Sequence, residues 1–280
     1  MAVVSFWGNS RREIGQTLSV VAIGTMMAIE HNYKILVIST GFRDRTMEKC
    51  FWEKNKNGVV NFTTGQGQQI GLNNGIEGLI KIIQSNRTSS NIIRDYAKVV
   101  FKDRLDILLS PTTTEPREYN TISPFYKDII KLADKEYDLV FIDIDKRMEA
   151  NDKNAILQES NLVMVTLKQS VESIETARVL REKNPASRNN NIMFLSGKYD
   201  FDSKYNTKNL TRYLKEPKEI SAIPYNKLYD EAAMEGKVAD FFLKYRAFAD
   251  QTDKNVRFIE EAKRTCENII YKLQELQMRM

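Results

Sequence analysis

Nowhere in the 280 residues does an apolar run approach the ~20 positions that a membrane-spanning helix needs. Cysteine is almost missing: Cys50 and Cys266 stand far apart, which excludes a disulfide framework or a spaced metal motif. They read as free buried thiols, which suits a reducing cytoplasm. His31 is the lone histidine, set where a helix pattern ends, and it reads as structural. The chain enters an apolar strand at once, with no basic segment or cleavage site ahead of it, so no secretory signal is expected and a cytoplasmic location is. A strong charge bias is lacking too. The net charge of +5 and pI near 9.0 are compatible with nucleic acid or anionic lipid, but the charges are interspersed and demonstrate neither.

What the chain does have is enough apolar residue, 42%, to bury a sizeable core in one α/β domain spanning residues 1–280. Its opening is the most organised stretch. The run Ala2-Val3-Val4-Ser5-Phe6-Trp7 reads as a buried strand, and residues 18–28 are apolar almost all round and read as a buried helix. Between them lies a polar loop bounded by Gly8 and Gly15. Strand, glycine-bounded loop and buried helix form the geometry of an anion-binding loop, because N–H groups at the helix start face the loop and the helix dipole favours negative charge there. The loop ends Gly15-Gln16-Thr17, where a Walker loop has Gly-Lys-Ser/Thr; the glycine and hydroxyl are present and the lysine is a neutral glutamine.

Further along, residues 34–38, 105–109, 137–143, 161–167, 191–195 and 219–224 read as strands. Helices are expected at 75–84, within 119–135, at 170–183, 227–236 and 253–277, with loop at 53–75. The alternation argues a three-layer α/β fold, a mainly parallel sheet with helices on both faces, in which residues 3–6 and 139–143 are adjacent central strands. The strand at 137–143 delivers Asp143 at its carboxyl end, where phosphate-loop proteins hold magnesium.

On these residues the chain resembles the ParA/MinD group of phosphate-loop (P-loop) ATPases with a deviant Walker loop. Gly15-Gln16-Thr17 with its helix fits the Gly-Lys-Thr turn. Residues 34–41 fit the strand ending in two aspartates, residues 137–143 the Tyr-Asp-x-Ile-Ile-Asp strand, and Ile223-Pro224-Tyr225-Asn226 the Ile-Pro-Tyr-Asp segment beside the adenine. The departures fall in the site. The loop is longer than the family's and has no signature lysine in register, so Arg11 or Arg12 either supplies that charge or stays solvated. Ser39 and Gly41 stand where relatives carry aspartates, Ile144-Asp145 follows the switch aspartate, and Ser196 stands for the base-reading asparagine.

The resemblance implies a nucleotide site of Arg11, Arg12, Gly15, Gln16, Thr17, Asp143 and Pro224, with Thr17 and Asp143 as magnesium ligands. Weak ATP or ADP binding with Mg2+ and no bound nucleotide at all are both open, and efficient hydrolysis is not expected. The leading reading is a degenerate ParA/MinD-like localisation or assembly factor for a pilus or secretion apparatus, of the TadZ/CpaE kind, working with a protein partner and open to homodimerisation. The alternative is an active ATPase of DNA or plasmid partition. An iron-protein-like electron carrier is not supported by the cysteines. The closing helix mixes acids and bases on its polar face, so membrane binding is not expected. Its stripe is expected to pack on the domain over 253–273, with Ile259, Cys266 and Ile270 buried and 274–280 frayed.

Overall fold

A computed structural model describes residues 1–8, 14–53, 75–86, 91–183, 191–250 and 252–278. Its strands are β1 (Ala2–Trp7), β2 (Ile35–Ser39), β3 (Lys98–Phe101), β4 (Leu105–Leu108), β5 (Leu139–Asp143), β6 (Leu162–Leu167), β7 (Ile192–Tyr199) and β8 (Ser221–Pro224). The helices are α1 (Gln16–Glu30), α2 (Thr46–Phe51), α3 (Ile76–Gln84), α4 (Ile92–Tyr96), α5 (Pro116–Ile122), α6 (Tyr126–Ala133), α7 (Ala150–Glu159), α8 (Val171–Lys183), α9 (Thr207–Leu214), α10 (Lys227–Glu235), α11 (Val238–Tyr245) and α12 (Lys254–Gln277). The strands form one sheet in the order β3-β4-β2-β5-β1-β6-β7-β8, parallel except for the β3–β4 pair. The expected neighbours pair in parallel, Val3 opposite Val140 and Phe6 opposite Asp143.

A strand covered on both faces has to be apolar on both, and β1 is. Ala2, Val4 and Phe6 join a core with α1, α10, α11 and α12, whereas Val3 and Trp7 join a second core with α3, α6 and α7. Phe6 meets Phe141 edge to face at 5.7 Å. α1 is apolar all round because it lies between the sheet and the α11–α12 layer; residues 19–28 are all buried. The chain leaves β1 by α1 towards β2 on one side, and leaves β5 by α7 towards β6 on the other. These opposed crossovers part above the carboxyl ends of β1 and β5 and open a crevice there, as open α/β sheets do where the strand order reverses.

The closing helix packs on the body of the fold, with Phe258, Ala262, Cys266 and Ile269 fully buried and Ile259 nearly so. Two expectations for it are corrected. Ile269, not Ile270, is the buried member of that pair, Ile270 being half-buried. The helix runs on to Gln277 instead of fraying from 274, because Leu273 and Leu276 still reach the sheet core. Residues 119–135 hold the end of α5 and all of α6, joined by a short 3-10 turn, in place of a loop and one helix. The expected loop at 53–75 falls largely outside the described residues. Among the described residues no helix is long and apolar enough to cross a membrane.

Candidate functional site

The crevice starts from Gly15. Its φ of 71° is the left-handed turn into α1, and a Cβ there would stand 2.7 Å from Lys198 Cγ. From β7, Gly197 presses on the same loop: a Cβ on it would meet the Ile14 carbonyl oxygen at 2.2 Å. Both positions need glycine because two backbone segments close on each other. Lys198, next in line, has φ 46° at the β7 irregularity.

Gln16 follows and turns inward. Its Nε2 donates to Asp143 Oδ1 (2.7 Å), the Ile144 carbonyl (3.0 Å) and the Phe6 carbonyl (3.1 Å). One amide nitrogen with two protons thus faces three acceptors, a seat that an ammonium with three would fill. Thr17 Oγ1 donates to the other carboxylate oxygen, Asp143 Oδ2, at 2.7 Å. The helix cannot pair the N–H groups of its own first turn, and residues 15–18 line the crevice. The crevice measures about 180 Å³ and is also bounded by Gly8, Ile14, Gly41, Asp44, Thr46 and the run from Asp143 to Arg147. That is below the ~300–1,000 Å³ usual for small-molecule pockets.

Asp143 is buried, and burial pushes its carboxyl up to about 6 against the pull of the Gln16 and Thr17 hydrogen bonds, with Asp44 and Asp145 adding to the rise. Asp145 goes the other way. Burial opposes its ionisation, but hydrogen bonds from Arg147 and from the Phe42 and Arg147 backbone outweigh that and hold it below the usual carboxylate range. Lys146 is an exposed cation on the crevice wall, without an ion pair among the described residues.

The structure therefore joins Gln16, Thr17 and Asp143 in one hydrogen-bonded network, with Gly15 beside them on the crevice wall. Arg11 and Arg12 lie outside the described residues. Pro224 ends β8 opposite Tyr199 and is not on the crevice wall. Asn226 of the same segment caps α10 through the Tyr229 N–H (2.9 Å) and reaches Asn255 (3.0 Å). Of residues 39–41 only Gly41 lines the crevice; Ser39 and Thr40 are buried. Sequence reasoning missed Asp44, Asp145 and Arg147. Asp44 sits in a charged run whose contact with Gly41 is made only by the turn after β2. Cys50 is not a candidate nucleophile: burial, aided by Asp44, pushes its thiol up to about 12.

Thr17 and Asp143 suit a magnesium ion in donor chemistry, a hydroxyl and a carboxylate oxygen already side by side. Two protein oxygens are few, and such an ion takes its other ligands from water and phosphate.

No protein-family model matches the chain, and no curated protein does. Solved structures do match in fold. A ParA family ATPase from Chlorobium tepidum TLS is 16% identical with a TM-score of 0.66, over 92% of this chain and 98% of its own. The MinD septum site-determining protein from Pyrococcus horikoshii OT3, complexed with Mg-ADP, is 13% identical at 0.63, over 97% and 98%. A putative plasmid partition protein from Borrelia burgdorferi B31, bound to AMPPNP, is 16% identical at 0.60, over 99% and 98%. At these identities the likeness is one of architecture, and the chain has the α/β fold of the ParA and MinD ATPases.

Proposed function

We propose that this chain is a single-domain, cytoplasmic ParA/MinD-like protein that acts as a localisation or assembly factor, with weak or no ATP hydrolysis, and that its protein partner belongs to a pilus or secretion apparatus. The inward turn of Gln16 carries the reading. Phosphoryl transfer depends on positioning and on neutralising charge. Here the neutral amide at the lysine position is committed to Asp143 and two carbonyls, facing protein instead of phosphate. Ser39 and Gly41 offer no carboxylate to orient a water. Losing one preorganised charge-stabilising group costs about 10²–10³ in rate.

What remains is a binding function. The first-turn N–H groups of α1, with Lys146 beside them, suit a phosphate, and Thr17 and Asp143 would hold magnesium, which when bound neutralises phosphate charge.

The competing reading takes its support from the partition and division ATPases that share the fold, with Arg11 or Arg12 supplying the missing charge. ATP turnover measured with and without DNA, beside an Arg11→Ala/Arg12→Ala double substitution, separates the two. Background turnover in every arm supports the localisation factor. Turnover that DNA raises and the double substitution abolishes replaces it with a partition ATPase.

A further inference from the structure

We infer that Asp145 is an internal anion that fixes the two loops of the crevice in one arrangement, in the role a terminal phosphate plays in nucleotide-driven switches, so that the surface these loops present to a partner forms without nucleotide. The inference deepens the localisation reading and rests on it for its biological meaning.

In phosphate-driven switches, two loops are ordered by the oxygens of a terminal phosphate and relax when it leaves. The equivalent loops here follow β2 and β5. The side chain of Asp145 is 5% exposed and accepts four hydrogen bonds. Oδ2 takes the Phe42 backbone N–H (2.7 Å) from the β2 loop and an Arg147 guanidinium nitrogen (2.6 Å). Oδ1 takes the Arg147 backbone N–H (2.7 Å) and Arg147 Nε (3.0 Å). One loop's amide and a forked arginine on one set of anionic oxygens is phosphate-type recognition, supplied here by the chain itself.

Thr40 adds a second tie. Its N–H (3.1 Å) and Oγ1 (3.0 Å) both donate to the Asp143 carbonyl, and its Oγ1 accepts the Asp145 N–H (2.8 Å). Its own carbonyl accepts Tyr119 Oη at 2.7 Å. Above this, the Phe42 ring has the guanidinium of Arg147 over it at 5.4 Å, that of Arg43 at 5.0 Å and the Tyr119 ring at 5.0 Å. Arg43 Nε reaches the Thr114 carbonyl (2.7 Å), anchoring the outer side of the β2 loop. Every one of these bonds is internal to the protein. A ligand shifts an equilibrium only by the difference in its contacts with the two states. With the Phe42 amide and Arg147 already engaged by Asp145, a phosphate finds little left to reorganise.

Backbone hydrogen exchange of the full chain, alone and with magnesium and AMPPNP, tests this. The Phe42 and Arg147 amides should be slowed at least tenfold relative to unstructured peptide without nucleotide, and unchanged by its addition. Asp145→Ala should speed exchange in both loops at least tenfold and leave α12 as it was; Asp145→Asn, which keeps the shape and drops the charge, should fall between. Wild-type loops that exchange freely, or slow only when nucleotide is added, overturn the inference, as does an Asp145→Ala chain with unchanged protection. If Asp145→Ala does not fold, the wild-type comparison decides. Fast ATP turnover with protected loops defeats the localisation reading and leaves the tie standing; unprotected loops without turnover do the reverse.

Discussion

The two parts of α1 obey different rules. From residue 19 to 28 every side chain is buried, and apolar character with the right volume meets most of the requirement. In the first turn Gln16 and Thr17 are half-buried and each is specified by a partner on β5. The deep part can drift in sequence while the fold persists, because a packed core needs volume and patterning more than identity. The first turn cannot drift without changing what the crevice does. This difference is consistent with a chain that shares its architecture with solved structures at 10–18% identity.

The deep part should break first when its cover is removed. A chain ending at Asp253 loses α12 and strips Phe258, Cys266 and Ile269 from the core. It should lose cooperative thermal unfolding by circular dichroism, while the full chain stays unbound in flotation with anionic liposomes. Next, Phe6→Ala empties the contact with Phe141 and should lower stability by about 3–5 kcal/mol in urea, as for other buried aromatics.

The first turn should respond to pH instead. Asp143 titrates at about 6 in the fold against an ordinary 3.8, so its contribution is full below pH 4 and is lost as pH rises through 6. Asp143→Asn should remove this slope and be the more stable chain at pH 7.5 by about 2–3 kcal/mol, since two pKa units are worth about 1.4 kcal/mol each. Denaturant midpoints of both chains between pH 4 and 7.5 check this. Equal slopes would show that the Gln16 and Thr17 bonds fully offset the burial. The smallest effect is Gly15→Ala, which places a side chain at φ 71° against Lys198 and should cost about 1–2 kcal/mol with little change in α12.

Legibility in the sequence follows the same division. The strand–helix alternation and the β1–β5 pairing could be read from periodicity, whereas the meeting of Thr17 with Asp143 came from the resemblance of the loop and the strand end to phosphate-loop proteins. The direction of Gln16 could not. It depends on two carbonyls and a carboxylate brought together from the ends of β1 and β5, which no local pattern records. Asp145 read as a departure from a motif and Asp44 drew no reading, because their partners lie one loop away. β3 escaped notice as a four-residue, half-exposed edge strand without clear alternation. The one-residue error at Ile270 arose because 269 and 270 both satisfy helical spacing, and only the angle at which α12 packs separates them.

The most direct test of the central claim is ATP turnover by Gln16→Lys beside the unaltered chain, with magnesium. The substitution returns the three-proton cation that the seat at Asp143, Phe6 and Ile144 would accept. It does not supply a carboxylate at 39 or 41. The account predicts that both chains stay near background, with at most tighter nucleotide binding in the variant. A gain on the order of a hundredfold or more from this single change would contradict it, showing that only the lysine was missing.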